Sequence, residues 1–265
     1  KGIGKSERAS QDRVIQLFQT ELGYTYLGDW EKEVRTQPIE RNVLMDYLLA
    51  EGYSADQSHK AIDKLVKAAS NLSNGLYETN KEVYHLLRYG VTVREELGQP
   101  KETVWLIDWK DLESNQFAVA EEVTVRGKHT KRPDVVIYVN GIALGVIELK
   151  RSKVGVEQGI RQNLDNQKEE FIPKFFTTMQ LVLAGNDSQG VRYGTIQTPE
   201  KYFLTWKEES DKDFEYVLDK HIYQLCEKTR LLELVHDFIV FDKGVKKLCR
   251  PNQFFGVKAA QTNVK

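Results

Sequence analysis

The chain has 265 residues, 40% of them hydrophobic and 29% charged, and a net charge of −1. That balance suits a globular protein with a sizeable core; it excludes low-complexity, fibrous and generically nucleic-acid-coating classes, although one local basic patch would serve a DNA enzyme. No apolar run approaches the roughly 20 residues of a membrane span, and two cysteines, Cys226 and Cys249, are too few for a disulfide framework. The polar start, without Met, reads as a trimmed end rather than a signal peptide, and a cytoplasmic protein with no membrane partner is expected.

Val14, Ile15, Leu17, Phe18 and Leu22 form an apolar stripe that predicts a helix over 7–22, stopped by Gly23. Residues 38–89 predict three more helices in an accessory layer. Pro38 starts the first, which runs to about Ala50. Ser54 and Gln57 carry a capping-box spacing for the second, and Asn80 caps the third, which Gly90 ends. His59 and His85 have no partners at ligand spacing. Residues 91–94 and 103–107 flank a Gly98-Gln99-Pro100 turn and read as a hairpin. Residues 117–125 read as a strand entering the main sheet; Glu121 or Glu122 could approach a bound metal, but a glutamate at the strand edge facing solvent is the preferred reading.

A basic loop follows: Arg126, Lys128, Lys131 and Arg132, immediately before Asp134. It reads either as a phosphate clamp or as a solvated turn, and its position favours the clamp. Residues 135–139 and 142–149 are β-rich runs around Asn140-Gly141, a strong hairpin signal. Asp134, Glu148 and Lys150 interrupt this apolar context, where a carboxylate is costly unless paired or metal-bound. Glu148 and Lys150 share a strand face. A simple two-residue loop would pair Asp134 with Ile147 and put it on the other face. A three-residue loop with a bulge at Gly141, or an equivalent bulge, pairs Asp134 with Val146 and brings it to Glu148. Two carboxylates without Cys or His suit Mg²⁺, with Mn²⁺ as a substitute, and the Leu149 main-chain carbonyl between the two sites is a further candidate ligand. Lys150 beside such an ion suits attack of water on a phosphodiester. Arg151 and Lys153 extend the positive charge.

A helix is predicted over 156–171, β-rich runs over 180–185, 190–196 and 201–206, and helices over 216–226 and 230–238. No phosphate-binding G-x-x-x-x-G-K-[ST] loop occurs in the 265 residues, so this chain is expected neither to hydrolyse ATP nor to translocate DNA by itself.

Asp134 with Glu148-Leu149-Lys150 resembles the PD-(D/E)xK nuclease motif. With Arg132-Pro133-Asp134, Asn140-Gly141, Arg192-Tyr193-Gly194-Thr195 and Phe238-Ile239-Val240-Phe241-Asp242, nearly the whole chain resembles the N-terminal nuclease region of the R subunit of type I restriction–modification enzymes. The resemblance implies an α/β, restriction-endonuclease-like core: a mixed central sheet of about five strands, flanked by helices with added helical layers. The chain then divides into a mainly helical part (1–90) packed on the core, a nuclease core (91–210), and C-terminal helices (211–265) leading to an absent ATPase motor, all in one fused unit. It implies cleavage of double-stranded DNA, partner modification and specificity subunits, and ATP used only by the full-length subunit. Gln253 resembles an adenine-contacting glutamine of that missing motor. The family's Gln-x-x-x-Tyr motif falls on Gln162, with Asn166 in place of Tyr. Glu7 stands where related folds sometimes bring an acid near the metal; a solvated first-turn charge is the preferred reading. A RecB-like repair nuclease, or an idle nuclease fold serving as an assembly or DNA-docking module, are the alternatives.

Overall fold

The computed structural model describes residues 7–94 and 100–263. The first apolar stripe becomes α1 (Glu7–Thr20), and the chain turns at Gly23 into β1 (Thr25–Asp29). Then come α2 (Arg41–Ala50), α3 (Ala55–Ser70), α4 (Gly75–Tyr89), β2 (Val91–Val93), β3 (Glu102–Val104), β4 (Phe117–Glu121), β5 (Val135–Val139) and β6 (Ile142–Leu149). The remainder is α5 (Val156–Asn166), β7 (Leu181–Asn186), β8 (Gly190–Gly194), β9 (Leu204–Thr205), α6 (Val217–Cys226), α7 (Lys228–Asp237), β10 (Ile239–Asp242), β11 (Val245–Leu248) and α8 (Pro251–Asn263).

Seven strands form the central sheet, in the order β1-β4-β5-β6-β7-β8-β9. β1 is parallel to β4 and β6 is parallel to β7; the other neighbours are antiparallel, so the sheet is mixed. Every residue of β5 and β6 is buried, which explains why both read as unbroken apolar runs. One apolar layer joins Phe18, Leu44, Leu65, Ile137, Leu183 and Leu232 on the face covered by α1–α4, α6 and α7. The other joins Val136, Tyr138, Val146, Ile160, Phe176 and Val182 under α5.

Several expectations are corrected. The sheet has seven strands rather than about five, because β1 adds an edge strand within the part read as helical. Its burial is only partial, so no apolar alternation marked it. α2 begins after Glu40 rather than at Pro38, whose carbonyl instead accepts from the Ala143 N–H. The Ser54–Gln57 capping box is formed, with Gln57 N–H donating to Ser54 Oγ at 3.1 Å. Asn80 is not a cap. It lies inside α4, fully buried, with its amide donating to the carbonyls of Phe176, Thr177 and Met179. Residues 91–104 pair as expected, although Gly98 and Gln99 of the expected turn lie outside the described residues. The C-terminal part is not helices alone: β10 and β11 form a hairpin around Lys243-Gly244, both with positive φ, as a two-residue turn requires.

Candidate active site

The β5–β6 hairpin closes with a two-residue loop. Val139 pairs with Ile142, and Asn140 and Gly141 have φ of 51° and 79°, the signature of a type I′ turn. The three-residue loop is therefore not the solution. A Cβ at Gly141 would stand 2.8 Å from the Glu40 carbonyl oxygen, so only glycine fits the loop against α2. The equivalent bulge lies further along: Tyr138 pairs with Ala143 but Ile137 with Gly145, leaving Leu144 as the extra residue. Val135 then pairs with Ile147, so Asp134 comes opposite Glu148 itself rather than Val146. The bulge restores the parity that the tight loop would have lost, and both carboxylates face α5.

Asp134 and Lys150 are 9% and 8% exposed and Glu148 is fully buried. Asp134 Oδ2 accepts the Leu149 N–H at 2.6 Å. Glu148 Oε2 accepts from Gln162 Nε2 at 2.7 Å and lies 3.8 Å from Lys150 Nζ. Glu148 Oε1 is buried with no hydrogen-bond partner. Lys150 Nζ donates to the Leu149 carbonyl at 3.0 Å and stands 3.9 Å from Glu7. Gln162 reaches Glu148 because α5 lies close on β6 and β7. A Cβ at Gly159 would already press the Ala184 Cβ at 3.1 Å.

Burial pushes the Asp134 carboxyl up to about 6, against the Leu149 N–H and the Lys150 charge, which pull it down. Burial and then the Asp134 charge push Glu148 well above the usual carboxylate range. Two facing buried carboxylates are harder to ionise together than apart, even with one lysine beside them. An orphaned buried oxygen opposite a second carboxylate is a costly arrangement for structure alone, and it fits a hard divalent ion. Among the described residues no cluster of three or more His, Cys, Asp or Glu is gathered to hold a metal, so an ion at this pair would need further oxygens, such as the Leu149 carbonyl, water or phosphate.

The site opens into a cleft of about 520 Å³, whose lining includes Glu7, Gln11, Lys131, Arg132, Asp134 and Gln162. Of the basic loop, Lys131 and Arg132 line the cleft. Arg126 and Lys128 do not: both are exposed, and Lys128 pairs with Glu169 at 2.6 Å. Arg151 is exposed, 4.0 Å from Glu7. Glu7 is a cleft residue rather than a freely solvated charge. Glu121 and Glu122 are not at a solvent-facing edge. Glu121 is 4% exposed and accepts from Gln11 and Tyr26, while Glu122, just after β4, takes φ of 51° and lines the cleft. Gln253 lies remote from this cleft and caps its own helix, its side-chain oxygen accepting the Arg250 N–H at 2.9 Å. Asn166 is buried, with neither side-chain polar atom partnered. Sequence reasoning missed Arg8 and Gln11; a buried glutamine beside the α1 stripe, one turn after Glu7, was the available signal.

The Type I restriction enzyme R protein N terminus family model matches residues 4–201. The chain is 30% identical over 219 residues to the type I restriction enzyme HindI endonuclease subunit of Haemophilus influenzae, covering 76% of this chain and 20% of that protein. It is 26% identical over 269 residues to a provisionally named type I restriction enzyme endonuclease subunit, MjaVIIIP, of Methanocaldococcus jannaschii, covering 94% and 25%. It is 27% identical over 159 residues to the EcoprrI endonuclease subunit of Escherichia coli, covering 57% and 50%. The chain thus spans a fifth to a half of the length of these relatives. With the family match extending over most of the sequence, the chain belongs to the type I restriction enzyme R protein N-terminal family.

Proposed function

We propose that this chain is the endonuclease part of a type I restriction enzyme R subunit, built on a restriction-endonuclease-like core, and that it hydrolyses phosphodiesters of double-stranded DNA. The observation that carries this reading is the buried, unpartnered Glu148 Oε1 facing Asp134 at the end of a cleft that also holds Lys131 and Arg132. Asp134 and Glu148, with the Leu149 carbonyl, would hold Mg²⁺ or Mn²⁺, which when bound polarises the scissile phosphate and acidifies a water. Lys150 stands at the mouth of the carboxylate pair. Its ammonium orients the attacking water and offsets negative charge as it develops on phosphate. Gln162 fixes the Glu148 carboxylate by its hydrogen bond. Lys131 and Arg132 hold the phosphate backbone by charge, without reading bases.

In the complete enzyme the site would act within a complex with modification and specificity subunits, in the cytoplasm. Cleavage would follow ATP-driven translocation of the DNA. The test is DNA cleavage by the full-length subunit, assembled with those partners, carrying Glu148→Ala or Lys150→Ala. Cleavage should fall by about a hundredfold or more with ATP hydrolysis retained. Unchanged cleavage by Glu148→Ala would rule the site out.

A further inference from the structure

Arg132 is held by two carboxylates of very different character. Its Nε pairs with Glu122 Oε2 at 2.7 Å, and the Glu122 side chain is only 16% exposed. The other Glu122 oxygen accepts from Gln11 Nε2 at 2.9 Å, and Gln11, itself 2% exposed, also donates to Glu121 at 2.7 Å. Glu122 is therefore fixed from several sides, at a left-handed backbone position that the end of β4 imposes. The Arg132 Nη1, by contrast, pairs with Glu31, whose side chain is 54% exposed. The Glu31 main chain is tied down, its N–H donating to Asp29 at 2.9 Å and its carbonyl accepting from Thr124 Oγ1 at 2.7 Å. Its carboxylate is more than half exposed and meets the Arg132 guanidinium at the surface.

We propose that Glu31 is a displaceable counter-ion occupying, on the Arg132 guanidinium, the position that a DNA phosphate takes, while Glu122 is the anchor that keeps the arginine turned to the cleft. This rests on the nuclease reading above. An exposed ion pair is weak and screened by salt, so an entering phosphate can displace it, whereas the less exposed Nε–Glu122 contact, with Glu122 held in place by Gln11, persists. Arginine suits such an exchange because its fork offers parallel donors to phosphate as it does to carboxylate. The resting cleft is in this way neutralised at Arg132, and DNA entry exchanges one anion for another.

The test is a double-mutant cycle on duplex DNA binding at low salt without divalent cations, read by fluorescence anisotropy. Glu31→Gln should tighten binding about fivefold in the wild-type background and leave it unchanged in Arg132→Gln. Glu33→Gln, which removes a neighbouring carboxylate paired instead with Arg35, should give no such gain. Equal gains from Glu31→Gln in both backgrounds would reduce the effect to net charge and overturn the proposal, as would the absence of any gain. Mn²⁺ binding measured on the same proteins reports separately on the nuclease site. Loss of that binding in the wild type would count against the nuclease reading, while the cycle still decides the role of Glu31.

Discussion

Two buried charged sites in this molecule obey opposite rules. At Lys246, on β11, the ammonium is 3% exposed and meets Asn80 Oδ1 at 2.8 Å, Gln180 Oε1 at 2.6 Å and the Met179 carbonyl at 3.2 Å. The rings of Phe241 and Tyr84 complete the cage, 5.3 and 5.9 Å away. Burial pushes that ammonium well down, but three oxygens accept from it. At Glu148 a buried carboxylate faces another carboxylate and keeps one oxygen without any partner. The first site ties the C-terminal hairpin to α4 and the sheet. The second leaves a buried acceptor unmatched beside a cleft, and the proposed nuclease chemistry would make use of that acceptor.

The sharpest way to break the contrast is to remove each charge in turn and measure stability by urea unfolding. Lys246→Met should cost about 3 kcal/mol, since it leaves two side-chain oxygens buried without donors. A stabilised Lys246→Met would erase the distinction. Glu148→Gln should do the reverse and stabilise the metal-free protein by about 1–2 kcal/mol at pH 8. The sign follows from linkage. Folded-state carboxyl groups raised above their unfolded values, as Asp134 is at about 6, add stability at low pH that is lost as pH rises through the folded value. The Glu148→Gln gain should therefore shrink toward zero near pH 4, and a gain that is equal at pH 4 and pH 8 would contradict the account. Gln162→Ala, the mildest change, should cost about 1 kcal/mol, since it removes the donor to the buried Glu148 Oε2, and should weaken metal binding about tenfold, read by calorimetry.

The two sites also differ in how far the sequence revealed them. Asp134, Glu148 and Lys150 interrupt runs that are otherwise apolar, and the period-2 geometry of strands requires a bulge to bring the first to the other two. That reasoning names the residues and the need for a bulge, yet not its place, because the bulge at Leu144 is set by how β6 meets β5 and the following segment, with no local turn signal. Lys246 was invisible: a lysine in Val-Lys-Lys-Leu reads as surface, and its partners lie 166, 67 and 66 residues away. Asn80 was misread for the same reason, since an asparagine ahead of an apolar stretch looks like a cap until its buried partners are seen. Glu122 and Glu31 gain meaning only through the parallel pairing of β1 with β4, which no periodicity in Thr25–Asp29 announced.

The central claim is that the Asp134–Glu148 pair takes a divalent cation. Calorimetric titration of Mn²⁺ into the wild-type chain and into Asp134→Asn and Glu148→Gln tests it most directly, with circular dichroism confirming the fold of each. Saturable binding by the wild type, abolished by both substitutions, is the expected result. Binding by Glu148→Gln as tight as that of the wild type, or no binding by the wild type either alone or with a non-cleavable duplex present, would contradict it.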